Sequence, residues 1–320
     1  MAVLTGAYET YEVEGMREDL GPIIYNIDPV DTPFMNSIAR GTATQIKHEW
    51  QTDTLSAAGV NAVVEGNDAA FTEPTATIRP HNYLQISEET VAVSGTLQAA
   101  TLAGRQAELG YQLARLAKTI KRDCEFTLTQ NQALSAGSSG VARTLTGFEN
   151  WITSASRGTG GADCAHASGD GGTPDAAAQV TDGTQRALQE SFVQAVLQEC
   201  WTNGGDVDLI MAGPYNKRIF SGFAGNSTRF DIGEDKSLTA SISVYISDYG
   251  THRIVANRFS RDRSVLCLDT QYWSMNYLRP FRETPLAKTG DSEKRLMNVE
   301  YTLCAYNQKS SGVVADLTTA

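Results

Sequence analysis

The sequence predicts an α+β fold with a long amphipathic helix at its centre, on three observations. A proline-free stretch from Thr96 to about Gln132 repeats apolar residues at helical spacing. A helix–strand–helix pattern follows a glycine-rich segment, and the last quarter alternates apolar and polar residues at strand spacing.

The helix rests on Leu102, Leu109, Leu113, Leu116, Ile120, Cys124 and Leu128, which recur at three-, four- and seven-residue steps. Arg105, Glu108, Gln112, Arg115, Lys118, Lys121 and Arg122 fill its other faces. About 37 residues at ~1.5 Å each predict a rod of roughly 55 Å.

Ahead of the helix, NIDPVDTPFMNSIARG carries Pro29 and Pro33, which forbid a regular helix through their positions. Thr32 or Asp31 can cap a short turn through Phe34, Met35 and Ile38, so the segment reads as an extended arm with a small apolar anchor. IKHEWQTDTL (46–55) and TIRPHNYLQIS (77–87) have strand character, and the residues between them are small, polar and turn-prone. That is a two-stranded excursion with a loose tip, and an isolated ribbon of this kind needs a neighbouring surface.

After the helix, residues 137–183 hold ten of the 28 glycines, with GFENWI (147–152) as the anchored exception; most of this reads as surface loop. TQRALQESFVQAVLQECWTNGG predicts a second amphipathic helix with Leu188, Phe192, Val196 and Trp201 near one face, stopped by Gly204 and Gly205. VDLIMAG predicts a short buried strand, and Pro214–Phe223 a further helix. From Ser241, SVYIS and HRIVANRF flank a DYGT turn. RLMNVEYTLCAYN then sets Met297, Val299, Tyr301, Leu303 and Ala305 against Asn298, Glu300 and Thr302, and these strands are expected to pack beneath the long helix.

Composition excludes several classes. At 320 residues, two packed lobes or one domain with large insertions is the expectation, and no apolar run approaches the roughly 18 residues needed to cross a membrane. The opening MAVLTGAYETYEVEGMRED lacks a basic stretch followed by an apolar core, so the protein is expected to stay in the cytoplasm where it is made. Five dispersed cysteines without a CxxC pair indicate neither a disulfide framework nor a zinc site. A net charge of -11 argues against a chain whose main task is gripping a nucleic-acid backbone.

No catalytic constellation emerges, and no cofactor or metal site is assigned. AGSSG (136–140) follows a helix and has Ala136 where a nucleophile elbow needs glycine. GTGG (158–161) lacks the flanking strand and helix of a dinucleotide loop, and there is no GxxxxGK[ST]. Asp163, Asp170 and Asp175 miss the spacing of a calcium loop.

The order of parts, together with DTPFMNSI at 31, GFENWI at 147, SDYG at 247 and LAKTGDSEKR followed by VEYTL and Asn307, resembles the major capsid proteins of tailed bacteriophages, the Hong Kong 97-type shell fold. The resemblance covers nearly the whole chain except the glycine-rich stretch 153–183. It implies an N-terminal arm at 1–45, an extended loop with flanking strands at 46–94, a spine helix of the peripheral domain at 95–139, an axial domain at 140–240 and a return to the peripheral sheet at 241–320. It further implies self-assembly into hexamers and pentamers, an icosahedral shell around double-stranded DNA held without sequence specificity, a portal protein at one vertex, a scaffold or cement protein, and no membrane. Assembly would occur in the host bacterial cytoplasm, and the product would be the virion capsid. The family carries no universal catalytic residue, so the chain is not expected to be an enzyme. Some members join subunits through Lys-Asn bonds; Lys47 and Asn307 have that chemistry without a motif that pairs them.

On this reading Phe34, Trp50, Phe71 and Tyr83 bury against neighbouring copies. Glu283, Lys288, Asp291, Lys294 and Arg295, around the turn before the last long strand, make charged contacts between copies. The competing readings are an encapsulin-like nanocompartment shell and a hydrolase using the glycine-rich lobe.

Overall fold

The computed structural model describes residues 29–68, 71, 73–102, 107–167, 172–223 and 243–319. The chain forms α1 (Pro33–Ser37), β1 (Ala39–Thr42), β2 (Lys47–Glu49), β3 (His81–Tyr83), β4 (Gln85–Ser94), α2 (Gly95–Ala99) and α3 (Glu108–Thr129). Then come α4 (Phe148–Trp151), β5 (Ala155–Ser156), α5 (Glu190–Thr202), β6 (Leu209–Ala212), α6 (Pro214–Phe220), β7 (Val244–Ser247), β8 (Gly250–Ala256) and β9 (Val265–Leu268). β10 (Trp273–Pro285), β11 (Ser292–Ala305) and β12 (Gly312–Val314) complete the chain.

Two sheets organise these elements. The first runs β1-β10-β11-β4, with β1 parallel to β10 and the other pairs antiparallel. The second has six strands in the order β5-β12-β9-β6-β8-β7. A separate ribbon pairs β2 with β3 in the register Lys47↔Tyr83 and Glu49↔His81.

Apolar alternation explains why the second sheet lies in the interior. Leu209 and Met211, Leu266 and Leu268, and Val313 and Ala315 point into a core shared with α3, α4 and the first sheet. Their neighbours Ile210, Ala212, Val265, Cys267 and Val314 point the other way, into a core under α5 and α6. Strands covered on both faces read as continuous apolar runs, as LIMA and VLCL do.

The predicted stripe of the long helix holds over its C-terminal half, where Leu116 is buried and Ile120, Cys124 and Leu128 share a core with Val299, Tyr301 and Leu303 of β11. Its predicted length does not hold. The chain forms a one-turn α2 capped by the Ser94 hydroxyl, turns extended at Ala100, and α3 then spans 22 residues, about 33 Å instead of 55. Residues of α2 bury no side chain, and a short helix without a packed face has little to hold it.

Three further expectations change. The helix expected from Thr184 begins at Glu190, and Trp201 lies on its exposed side, 5.7 Å from Tyr249. Residues 244–268 and 312–314 join the sheet of β6 and not that of β11, so the change of sheet expected at residue 241 falls between β9 and β10. The polar face of β11 is covered: Asn298, Glu300 and Thr302 are buried, and the Thr302 hydroxyl donates to the Tyr83 carbonyl at 3.1 Å.

Candidate assembly surfaces

The arm is pinned by one carboxylate. Thr32 stands at the N-cap of α1 but makes no side-chain cap bond. Instead Glu125 of α3 accepts from the backbone N–H of Phe34 (2.7 Å) and Met35 (2.8 Å), and Asn257 Nδ2 donates to the same group at 2.7 Å. Glu125 is fully buried, and burial pushes its carboxyl above the ordinary value against the pull of those three donors. Thus the arm, the long helix and the end of β8 meet at a single side chain.

Phe34 lies edge-on to Phe148 at 5.7 Å, and Phe148 packs on Trp273 at 4.4 Å. Trp50, at the root of the ribbon, donates its indole N–H to the Ala305 carbonyl at 2.9 Å and packs on Trp151 at 5.4 Å. Phe34 is 0% exposed and Trp50 9%. Both anchor their segments to their own chain and have almost no surface left for a neighbour, which corrects their assignment as contacts between copies. Lys47 and Arg79 stiffen the same root and hold the Glu49 carboxyl down at about 2.

Beyond the root the picture reverses. From Asp53 to Thr77 the described residues form no strand, and Leu55, Val60 and Phe71 are 98–99% exposed, with Val63 and Val64 at 73% and 80%. Tyr83 is half-buried beside His81. An apolar loop with no cover of its own, projecting from a rigid root, has the form of a segment meant for another surface.

The second surface is the distal half of the β10–β11 hairpin. Its turn contains Gly290 at φ +76, a conformation that a side chain would strain. Arg295 pairs with Glu283 at 2.9 Å, Lys288 reaches Glu293 at 3.9 Å, Lys294 bonds the Thr289 hydroxyl, and the Asp291 carbonyl accepts from Gly95 N–H at 3.1 Å. The five predicted residues therefore lie along one hairpin, four tied to that hairpin itself and Asp291 to the start of α2.

The glycine-rich segment has a structural use that the sequence did not disclose. Asp316, at φ +59 and 1% exposed, accepts from Gly158 N–H (3.0 Å) and Gly183 N–H (2.9 Å), and Arg263 pairs with it at 2.8 Å. A side chain at Gly183 would meet Gly158 O at 2.6 Å and Gly161 N at 2.7 Å. The glycines let this loop close around the C-terminal strap. Ser138 bridges Val141 in a tight turn, and Asp163 pairs with Arg157 at 2.5 Å. All five cysteines are free and buried, with burial raising Cys124, Cys200 and Cys304 to about 12. Among the described residues, no group of three His, Cys, Asp or Glu side chains could hold a metal, and no helix is long and apolar enough to cross a membrane.

Residues 4–318 match the family model of the SU10 major capsid protein. The major capsid protein of Escherichia phage Phieco32 is 29% identical over 339 residues, covering 96% of each chain. Among solved structures, the capsid asymmetric unit of cyanophage A-1(L) superposes with a TM-score of 0.66 at 13% identity, over 98% of this chain and 99% of that one. A chain of the native GTA particle capsid gives 0.62 at 11% identity over 99% and 100%, and one from Gordonia phage Cozz 0.61 at 10% over 100% and 99%. These neighbours share the Hong Kong 97-type architecture inferred from the order of parts, a structural-protein fold. The chain belongs to the SU10 major capsid protein family.

Proposed function

We propose that the chain closes with copies of itself into hexamers and pentamers, forming an icosahedral shell around the double-stranded DNA of a tailed phage. Assembly would take place in the host cytoplasm, with a portal protein at one vertex and a scaffold or cement protein as further partners. The observation that carries this reading is the contrast at Trp50: a root fixed in its own core bears a loop whose described apolar residues Leu55, Val60, Val63, Val64 and Phe71 are left in solvent. Obligate interfaces bury on the order of 2,000 to 5,000 Å², mostly apolar, and the loop supplies apolar area of that kind.

Phe71 and Tyr83 remain the apolar contacts of this proposal. Glu283, Lys288, Asp291, Lys294 and Arg295 set register at the hairpin, since exposed pairs contribute only about 0 to 1 kcal/mol each. Deleting residues 56–74 tests the loop. The shortened chain should fold, with Trp50 still buried, and fail to form closed shells; normal particles from it would refute the interlocking role.

A further inference from the structure

Resting on the shell reading, we infer that the solvent face of α3 is a phosphate-contacting surface for the enclosed nucleic acid. Arg115, Lys118 and Lys121 are exposed and make no ion pair among the described residues. With half-buried Arg122 they fall within a roughly 120° arc of the helix at 3.6 residues per turn. The Arg122 guanidinium sits 5.6 Å over the Phe259 ring.

One exposed carboxylate borders the arc: burial raises the Asp123 carboxyl and the neighbouring Arg122 charge pulls it back down. Asp123 lies about 80° round the helix from Arg115. Glu108 is buried and bonded to Gln112 at 2.7 Å, and Glu125 is buried on the arm. Arg115, Lys118 and Lys121, three exposed cations without an ion pair among the described residues on a chain of net charge -11, are a local feature with its own electrostatic target.

Two polyanionic occupants fit by charge: a phosphate backbone, or the 51–77 loop of another copy, which holds Asp53, Glu65, Asp68 and Glu73 and no Lys or Arg. The loop also carries exposed Leu55, Val60 and Phe71, which need an apolar receiving surface. Beside the arc only Phe126 of the helix offers them a large exposed apolar side chain, since Leu116, Ile120 and Leu128 are turned into the core. A phosphate backbone needs only the charges, which favours nucleic acid.

The test is binding of a fluorescent DNA duplex to the unassembled full-length chain across a salt series, with Arg115→Gln/Lys118→Gln/Lys121→Gln beside wild type. Wild type should bind at low salt, and the triple variant should show a log–log salt slope shallower by about 3. Arg253→Gln/Arg282→Gln, at exposed positions of β8 and β10, should bind as wild type does. No wild-type binding at about 50 mM salt, or an unchanged slope in the triple variant, would overturn the inference. So would a poly-glutamate peptide of matched charge binding as tightly as the duplex, which would point to an acidic protein segment. Electron microscopy of the same preparations separates the two readings: a triple variant that forms shells but loses DNA binding upholds both, whereas a wild type that binds DNA without forming shells removes only the shell.

Discussion

The backbone N–H of Phe34 donates to Glu125 Oε1 at 2.7 Å, across 91 residues of sequence. This bond supplies the cap that the arm's own residues do not, and it places a carboxylate without an ion-pair partner among the described residues in the core. Replacing Glu125 with Ala strands three donors, on Phe34, Met35 and Asn257, at an expected cost of about 3 kcal/mol. Urea unfolding of the purified chain measures it, and a loss below about 1 kcal/mol would contradict the anchoring role.

The same group sets a pH dependence. Burial raises the Glu125 carboxyl in the folded chain, so the native state binds that proton more tightly than the unfolded state. Its contribution to stability is full below the unfolded value near 4.5 and is lost as pH rises through the folded value. Denaturant midpoints of wild type should therefore fall across that window relative to Glu125→Gln. Parallel profiles for the two proteins would argue against the shift.

Glu300 is the second buried carboxylate with a defined duty. It accepts from Arg143 and from Arg279, each at 2.8 Å, joining the loop after α3 to the base of the long hairpin. Glu300→Ala leaves half-buried Arg143 without its counter-charge and should cost roughly 3 to 5 kcal/mol, with a smaller loss for Arg279→Ala because that side chain is more exposed. Equal losses from the two substitutions would show that the network is not ranked by burial.

At the C-terminal strap, Gly183→Ala pushes a methyl group against Gly158 O and Gly161 N, which belong to the backbone and cannot swing away. Overpacking of this kind costs typically about 1 to 3 kcal/mol. Limited proteolysis should show earlier cleavage within 153–183 in the variant than in wild type. Unaltered cleavage would mean that the loop does not depend on closing around Asp316.

The thiols should be silent. Burial lifts Cys124, Cys200 and Cys304 to about 12 and Cys164 to about 11, leaving little thiolate at neutral pH. A chromogenic disulfide reagent at about pH 8 should react only after unfolding, and prompt labelling of any cysteine in the native protein would contradict the burial pattern.

What the sequence disclosed follows from locality. Apolar periodicity in Leu116–Leu128 and in Met297–Ala305 is set by neighbours along one element, and both faces pack as read. The break between α2 and α3 was hidden because helical spacing continues from α2, whose residues bury no side chain, into α3. Glu125 was missed because its partners lie 90 and 91 residues upstream, and because Thr32 and Asp31 offered a local cap that gave no reason to seek a distant one. Membership of β7, β8, β9 and β12 in one sheet depends on crossovers that no local pattern encodes. Phe34 and Trp50 were read as outward anchors because an aromatic residue in an extended segment looks the same whether it docks on its own core or on a neighbour's.

Negative-stain electron microscopy of the purified full-length chain, alongside its sedimentation, tests the central claim most directly. The account predicts closed polyhedral shells or isolated hexameric and pentameric rings. A stable monomer or dimer at high concentration, unchanged by added scaffold or portal protein, would contradict it.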